Sequence, residues 1–182
     1  MSEIAQRYHR LAARFADRIA AVPDGRWDDP TPCEGWSVRT LVNHVVETQS
    51  KFRGLVGREP ITTPDPATDP ATAWDAARTV MQADLDDPAR AAAGYEGAFG
   101  RGTFEEAVDQ FLNLDLIVHG WDLARATGQD ERIPSEDLAH VRAQADNLGD
   151  MMRRSGAFGP AVEVPADADE QARVLALLGR RA

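Results

Sequence analysis

The sequence predicts an all-α fold, a bundle of four main helices with additional short helices. Apolar residues recur at three- and four-residue spacing in five long segments, and this is the period of an amphipathic helix. No segment shows the strict apolar–polar alternation of a half-buried strand. Stretches rich in Pro and Gly separate the helical segments. With 182 residues the chain can bury a core, so we expect one domain over residues 1–182.

The first two predicted helices flank a loop that contains two tryptophans. Residues 4–22 carry the first apolar stripe, and Pro23-Asp24-Gly25 stops that helix. The loop over residues 23–36 is rich in Pro, Gly and Asp, yet its two tryptophans indicate that it packs against other parts of the chain. Ser37 is a suitable N-cap for the second helix, which ends before Gly57.

The third helix begins at a cap and a proline, and a glycine-rich segment follows it. Asp69 is the predicted N-cap and Pro70 occupies the first helical position, where a missing N–H costs nothing. The run Asp86-Asp87-Pro88 interrupts this helix. Residues 94–102 contain four glycines and two aromatic residues, which predicts a tight turn or a short hairpin.

Three more helices complete the prediction. Thr103 and Glu106 have the spacing of a capping box, and the fourth helix runs from there to Thr127-Gly128. Ser135 opens a fifth helix, and a short last helix covers about residues 169–178. The first four long helices are expected to form the bundle.

Composition and charge exclude several classes of partner. The net charge is −10, so the chain repels nucleic acid and anionic membrane surfaces, but it does not exclude a metal ion or a small cation. A single cysteine rules out an intrachain disulfide. The N-terminal segment lacks the apolar stretch of a signal peptide and no run of about 18 apolar residues exists, so we expect a cytoplasmic protein without a membrane span. A homodimer is one option for the oligomeric state.

The fourth helix carries three ionisable residues on one stripe. Asp115, His119 and Asp122 lie in LDLIVHGWDLARATG, residues 114–128, which is otherwise apolar on nearly every side. Such a helix is buried, and buried charges must be paired, hydrogen-bonded or bound to a metal. The spacing of Asp115 and His119 lets both side chains reach one cation. The alternative interpretation is a buried ion pair without a metal.

A metal site needs a third ligand, and the other histidines are the candidates. His9 lies off its apolar stripe and is expected to be exposed, while His140 is expected at the surface or at the edge of its helix. His44 lies at the edge of the buried face of the second helix, where it is either a metal ligand or a core histidine. Glu47 and Asp122 are candidates for groups that orient the ligands.

Two other features suggest no site of their own. Cys33 has no recognisable Cys/His catalytic motif around it, so beside Pro32 and Trp36 it is interpreted as a structural thiol rather than a nucleophile. The segment GAFGRG follows no predicted strand, so it does not qualify as a phosphate-binding loop.

Three segments together resemble a known family. They are TPCEGWSVRTLVNHVV at 31–46, LDLIVHGWDLARATG at 114–128 and FGPAVEVPADADEQARVLALLGR at 158–180. They resemble an actinobacterial family of metal-binding proteins that is related to the N-terminal domain of mycothiol-dependent maleylpyruvate isomerase and to the DinB/YfiT-like superfamily. The resemblance covers nearly the whole chain, and the paired GW…H and HGWD motifs are specific when they occur together.

The resemblance implies a DinB-like four-helix bundle that binds a divalent metal. The ligands of the isomerase correspond to His44, Asp115 and His119, with Asp at position 115 where the isomerase pattern has Glu. Two imidazoles and a carboxylate suit zinc, with nickel or ferrous iron as alternatives. The cosubstrate of the family is the thiol mycothiol.

Three protein ligands leave at least one metal position open, which is typical of a catalytic site. Together with this open position, the resemblance implies a metal-dependent transferase or isomerase that uses a low-molecular-weight thiol and a small-molecule substrate. A metal-dependent hydrolase and a non-catalytic binding module are the alternatives, so catalysis itself stays open. The isomerase has an additional C-terminal domain, whereas this sequence ends at Ala182. We therefore expect a different electrophile, or a partner chain that completes the site.

Overall fold

The computed structural model describes residues 1–97, 100–154 and 159–182. The chain divides into two compact units, Met1–Asp130 and Glu131–Ala182; the prediction of one domain stays a prediction. The helices of the first unit are α1 (Glu3–Ala20), α2 (Val38–Gly54), α3 (Pro70–Asp86), α4 (Pro88–Ala91), α5 (Phe104–Ala107) and α6 (Asn113–Thr127). The second unit contains α7 (Ser135–Arg154) and α8 (Glu170–Leu177), which pack against each other.

The first unit is a four-helix bundle, as predicted. Helix α1 packs against α3 and α6, and α2 packs against the same two helices. The bundle interior is filled by large side chains from all four helices, with Phe15, Leu41, Trp74 and Trp121 fully buried. Between α1 and α2 the hydroxyl of Tyr8 donates to Oε1 of Gln49 at 2.9 Å, so the two buried polar groups satisfy each other.

The all-α prediction is confirmed, and the glycine-rich segment forms the expected hairpin. Strands β1 (Gly94–Gly97) and β2 (Gly100–Thr103) pair antiparallel, with Gly94 opposite Thr103. Residues 98–99, between the two strands in sequence, lie outside the described residues. A 3₁₀ turn at Asp24–Arg26 follows α1.

The predicted helix starts are confirmed by their capping hydrogen bonds. Ser37 accepts from the amide of Thr40, and Asp69 accepts from the amide of Thr72 with Pro70 in the first turn. Thr103 and Glu106 form both bonds of the capping box. These side chains satisfy amide groups that have no partner within the helix.

The fourth predicted helix is not regular over its whole length. A π-helical segment at Val108–Leu112 joins α5 to α6, and the amide of Asn113 bonds the carbonyl of Val108. Within this segment Asp109 accepts from Arg7 of α1 at 2.6 Å and from the side chain of Asn113 at 3.0 Å. The apolar period of the sequence continues through the segment, which is why it predicts one uninterrupted helix.

The second unit contains a kink that the sequence did not predict, and it corrects one expectation. Gly149 has a φ of 47°, outside the helical region, and kinks α7 at a position that only glycine adopts easily. His140 is buried, whereas the sequence suggested a position at the surface or helix edge.

Among the described residues, no helix is both long and apolar enough to cross a membrane.

A buried carboxylate connects the end of α2 to α3 and α4. The side chain of Asp84 is 2% exposed and accepts from Arg53 at 2.8 Å and from Arg90 at 2.7 Å. Arg58 lies 3.1 Å from the same carboxylate. The three guanidinium groups therefore compensate the desolvation of Asp84.

Candidate metal centre

The loop before α2 forms one wall of a polar cluster. In residues 31–36, which we call the Trp36 loop, the amide of Thr31 donates to the carbonyl of Trp36 at 2.9 Å. The amide of Trp36 in turn donates to the carbonyl of Cys33 at 3.0 Å. This turn directs Cys33 and Trp36 toward His119 of α6. The expectation that the tryptophan-containing loop is packed is confirmed.

Helix α6 brings three ionisable side chains into the bundle. All of its residues except Asp115 and Arg125 are buried. The side chain of His119 is 8% exposed and Asp122 is fully buried. The side chain of Asp115 is 18% exposed, so this residue lies at the outer side of the cluster.

One side of His119 faces Asp115 and His44. Nε2 of His119 lies 3.2 Å from Oδ1 of Asp115, and Nε2 of His44 lies 3.9 Å from Oδ2 of Asp115. One ligand atom from each of the three residues lies within 4.8 Å of the other two. His44, on α2, has a side chain that is 31% exposed, so this side of the cluster can be reached from solvent.

The other side of His119 faces Asp122 and Cys33. Nδ1 of His119 lies 3.0 Å from Oδ2 of Asp122. The thiol of Cys33 donates to the same oxygen at 3.2 Å, and its sulfur lies 3.8 Å from Nδ1 of His119. Both ring nitrogens of His119 are therefore engaged, each with a different carboxylate.

Trp36 covers the two imidazole rings. Its ring centre lies 4.6 Å from that of His44 and 5.8 Å from that of His119, with the latter pair stacked. The two imidazoles meet edge to face at 5.2 Å. The indole thus limits the orientations of both rings and closes one side of the cluster.

The cluster strongly perturbs the acid–base properties of its members. Burial lowers the pKa of His119, but the charge and hydrogen bond of Asp115, and then the bonds of Asp122 and Cys33, outweigh it and raise that pKa well above its ordinary value. Burial raises the pKa of Asp115, but His119 and then His44 outweigh it and hold that pKa well below its ordinary value. The two carboxylates that flank the ring of His119 therefore favour its protonated form in the chain alone.

The donor set fits a divalent metal ion. Two imidazole nitrogens and one carboxylate oxygen are ligands of zinc, nickel and ferrous iron. Oδ2 of Asp115 is buried and makes no hydrogen bond within the part of the chain that the structure describes. Its distance to His44 exceeds hydrogen-bond reach. A cation between the three side chains would satisfy this oxygen.

The structure brings four of the five predicted site residues together and leaves Glu47 outside the cluster. His44, Asp115 and His119 come together, and Asp122 contacts the ring of His119 as a group that orients a ligand would. Glu47 points elsewhere: it accepts from Asn43 at 3.0 Å on its own helix and pairs with Lys51 at 3.6 Å.

The other predictions for single residues have mixed outcomes. His9 is exposed, as expected. The sequence missed Cys33 as a member of the cluster, although its place in a loop with two tryptophans was a signal that the thiol is packed.

Comparison with known proteins identifies relatives. The profile of the family described as the mycothiol maleylpyruvate isomerase N-terminal domain matches residues 8–124. These residues include the three predicted ligands His44, Asp115 and His119, and also Asp122, which contacts His119. Two uncharacterized proteins of Mycobacterium tuberculosis, from strains CDC 1551 / Oshkosh and ATCC 25618 / H37Rv, are each 29% identical to the chain over 181 residues. The alignments cover 95% of this chain and 95% of each relative, and the genus is actinobacterial, as the sequence suggested.

A solved structure has the same fold. The crystal structure of the mycothiol-dependent maleylpyruvate isomerase matches with a TM-score of 0.53 at 14% sequence identity, over 78% of this chain and 68% of that chain. At this identity the likeness establishes the fold alone. Together with the family match it confirms the predicted relation to the isomerase domain and the DinB-like four-helix bundle.

Proposed function

Because the chain belongs to the mycothiol maleylpyruvate isomerase N-terminal domain family, we propose that it is a metal-dependent protein that acts with a low-molecular-weight thiol. His44, Asp115 and His119 hold one divalent ion, with zinc as the first choice. The reaction is of transferase or isomerase type on a small electrophile, with mycothiol as the cosubstrate.

One observation carries this proposal. Three side chains of the right chemistry, from α2 and α6, place ligand atoms within 4.8 Å of one another at a position that solvent can reach. A structural zinc site has four protein ligands, whereas three leave a position for a substrate. A divalent ion bound there would supply a positive charge that favours the thiolate form of a bound thiol.

Residues around the proposed metal position support the binding of a metal and a thiol. Asp122 accepts a hydrogen bond from Nδ1 of His119 and so leaves Nε2 to face the metal position. Asp115 supplies negative charge next to the imidazoles of His44 and His119. Trp36 closes one side of the cluster, so a thiol must approach along the open side, at His44 and Asp115.

Metal content tests the ligand set. We expect wild-type protein purified without chelators to contain about one divalent ion per chain. His119→Ala should lose nearly all of this metal, because the variant removes one of the three proposed ligands. His9→Ala is the matched control, since His9 is exposed on α1 and should not affect metal content. Equal metal content in wild type and His119→Ala, measured by elemental mass spectrometry, would exclude this ligand set.

Thiol binding tests the proposed chemistry. Calorimetric titration of the zinc-loaded protein with mycothiol should show binding, and the chelator-treated protein should show none. The thiol sulfur is expected to lose its proton on binding, because the metal stabilises the thiolate. A protein that binds zinc but shows no metal-dependent thiol binding would contradict the proposal that a thiol is the cosubstrate. A metal-dependent hydrolase or a non-catalytic binding module would then explain the site.

A further inference from the structure

We propose that Cys33 is a positioning residue for the metal centre. Its thiol holds the carboxylate of Asp122 against Nδ1 of His119, so that the Trp36 loop helps to set metal affinity. This inference rests on the proposed function, because it concerns the orientation of a proposed metal ligand. It assigns a role to the single cysteine of the chain.

Two donors meet on one carboxylate oxygen. Oδ2 of Asp122 accepts from the thiol of Cys33 at 3.2 Å and lies 3.0 Å from Nδ1 of His119. Asp122 is fully buried, so water does not compete for this oxygen. Two donors that arrive from different directions restrict the carboxylate to one rotamer more tightly than His119 alone could.

The orientation of Asp122 determines which nitrogen of His119 binds the metal. A carboxylate that accepts from Nδ1–H leaves the lone pair of Nε2 directed at Asp115 and His44. Asp122 and His119 lie on the same helix and would stay close without any loop. Cys33 comes from a loop 86 residues earlier in the sequence than His119 and connects that loop to the cluster.

The same loop also restrains the imidazole rings directly. Trp36 is joined to Cys33 by a backbone hydrogen bond of 3.0 Å and stacks on His119. The thiol and the indole therefore act from one turn on two sides of the site. Losing the thiol contact should loosen both the carboxylate and the indole.

A second arrangement of the same atoms is the competing explanation. The sulfur of Cys33, Nδ1 of His119 and a carboxylate oxygen of Asp122 also lie within 4.8 Å of one another, so they could bind a metal themselves. We favour the positioning role, because both contacts to Asp122 have hydrogen-bond lengths and account for the buried carboxylate without a cation. In the competing arrangement sulfur is a ligand, which is a difference that spectroscopy detects.

The test compares two substitutions of Cys33 in the full chain. Zinc affinity is measured by competition with a chromophoric chelator at one fixed pH. Cys33→Ala should weaken zinc binding by about tenfold, the effect of losing one hydrogen bond to a charged group. Cys33→Ser should retain most of the affinity, since its hydroxyl can donate to the same carboxylate. A role limited to filling space would make the two variants equivalent.

Each outcome decides the matter. Wild-type affinity in Cys33→Ala, or equal losses in both variants, overturns the positioning role while leaving the proposed function intact. No zinc binding by the wild type overturns both.

Two measurements on the wild type do not depend on the folding of a variant. Cobalt loading should give no sulfur-to-metal charge-transfer band, and that band would assign Cys33 as a ligand instead. Nitrogen NMR of the zinc-loaded protein should find Nδ1 of His119 protonated, and an Nδ1 without its proton overturns the inference.

Discussion

His119 has a neighbour of opposite charge at each ring nitrogen. Asp115 lies at Nε2 and Asp122 at Nδ1, and together they raise the pKa of the ring and favour its protonated form in the metal-free protein. A metal at Nε2 must displace a proton that the fold itself stabilises. Metal binding at this residue is therefore an exchange of one cation for another.

That exchange predicts how zinc affinity depends on pH. Because the folded pKa of His119 is raised well above its ordinary value, the affinity should rise with pH across the neutral range, from about pH 6 to pH 8. Binding should release about one proton near neutral pH, which titration in buffers of different ionisation enthalpy measures. Binding without proton release would contradict the assignment of Nε2.

The stability of the metal-free protein should depend on pH in the opposite direction to zinc affinity. A raised histidine pKa stabilises the fold below the unfolded value, about 6.5, and this contribution is lost as pH rises through the folded pKa of His119. Raising the pH should therefore increase the affinity of His119 for zinc and decrease the stability of the metal-free protein. These opposite effects distinguish metal binding from proton binding at this residue.

Single residues show where prediction from sequence succeeds and where it fails. Asp115 and His119 could be paired because a helix fixes the geometry of residues four apart. The contact of Cys33 with Asp122 spans 89 positions and depends on how a loop folds over a helix, which no local pattern encodes. Glu47 was proposed from its nearness to His44 along the chain, but it pairs with Lys51 on its own helix.

At the scale of elements, the helices follow from apolar period and capping residues. The predicted starts at Ser37, Asp69 and Thr103 are correct because side-chain capping is local chemistry. The π-helical segment at Val108–Leu112 was not predictable in this way. Its apolar spacing is nearly that of an α-helix, while its contacts with α1 are long-range.

The joint between α2, α3 and α4 depends on Asp84. Burial raises its pKa, but the bonds and charges of Arg53, Arg90 and Arg58 outweigh this and lower the pKa below its ordinary value. Asp84→Asn should reduce the free energy of unfolding by roughly 3 kcal/mol, because it leaves buried guanidinium groups without a counter-charge. Urea unfolding followed by circular dichroism measures this change.

Asp75→Asn is the matched control. Asp75 pairs with Arg78 on the surface of α3 and its side chain is 63% exposed, so its loss should cost less than about 0.5 kcal/mol. The advantage of wild type over Asp84→Asn should also shrink as pH falls through the lowered pKa of Asp84. Equal stability of the two variants would mean that the arginines find other partners.

At the scale of the whole molecule, the proposed metal joins two helices of the bundle in the first unit. His44 lies on α2, whereas Asp115 and His119 lie on α6, so a bound ion connects elements that are distant in sequence. The net charge of −10 favours the arrival of a cation at the site. The bundle is thus expected to be more stable with metal than without it.

Chelation tests this coupling between metal and fold. At free zinc of about 100 times Kd, binding to the folded state alone adds roughly 2.7 kcal/mol of stability. Thermal unfolding of the wild type should shift upward with zinc and downward with a chelator. His119→Ala should unfold at the same temperature in both conditions. An unchanged unfolding temperature in the wild type would show that zinc does not distinguish folded from unfolded chain.

The π-helical segment has a consequence for how this chain can change in evolution. A π turn contains one residue more than an α turn between bonded groups, so it behaves as a one-residue insertion inside a helix. Deleting one residue within Val108–Leu112 would restore a regular α turn, and the residues that follow, Asp115 and His119 included, would keep nearly the same orientation toward α2. The connector over residues 58–69 also tolerates changes in length, because they rotate no ligand. Descendants of this chain can therefore lose the extra residue of the π turn, or gain and lose residues between α2 and α3, without moving the ligands away from the site.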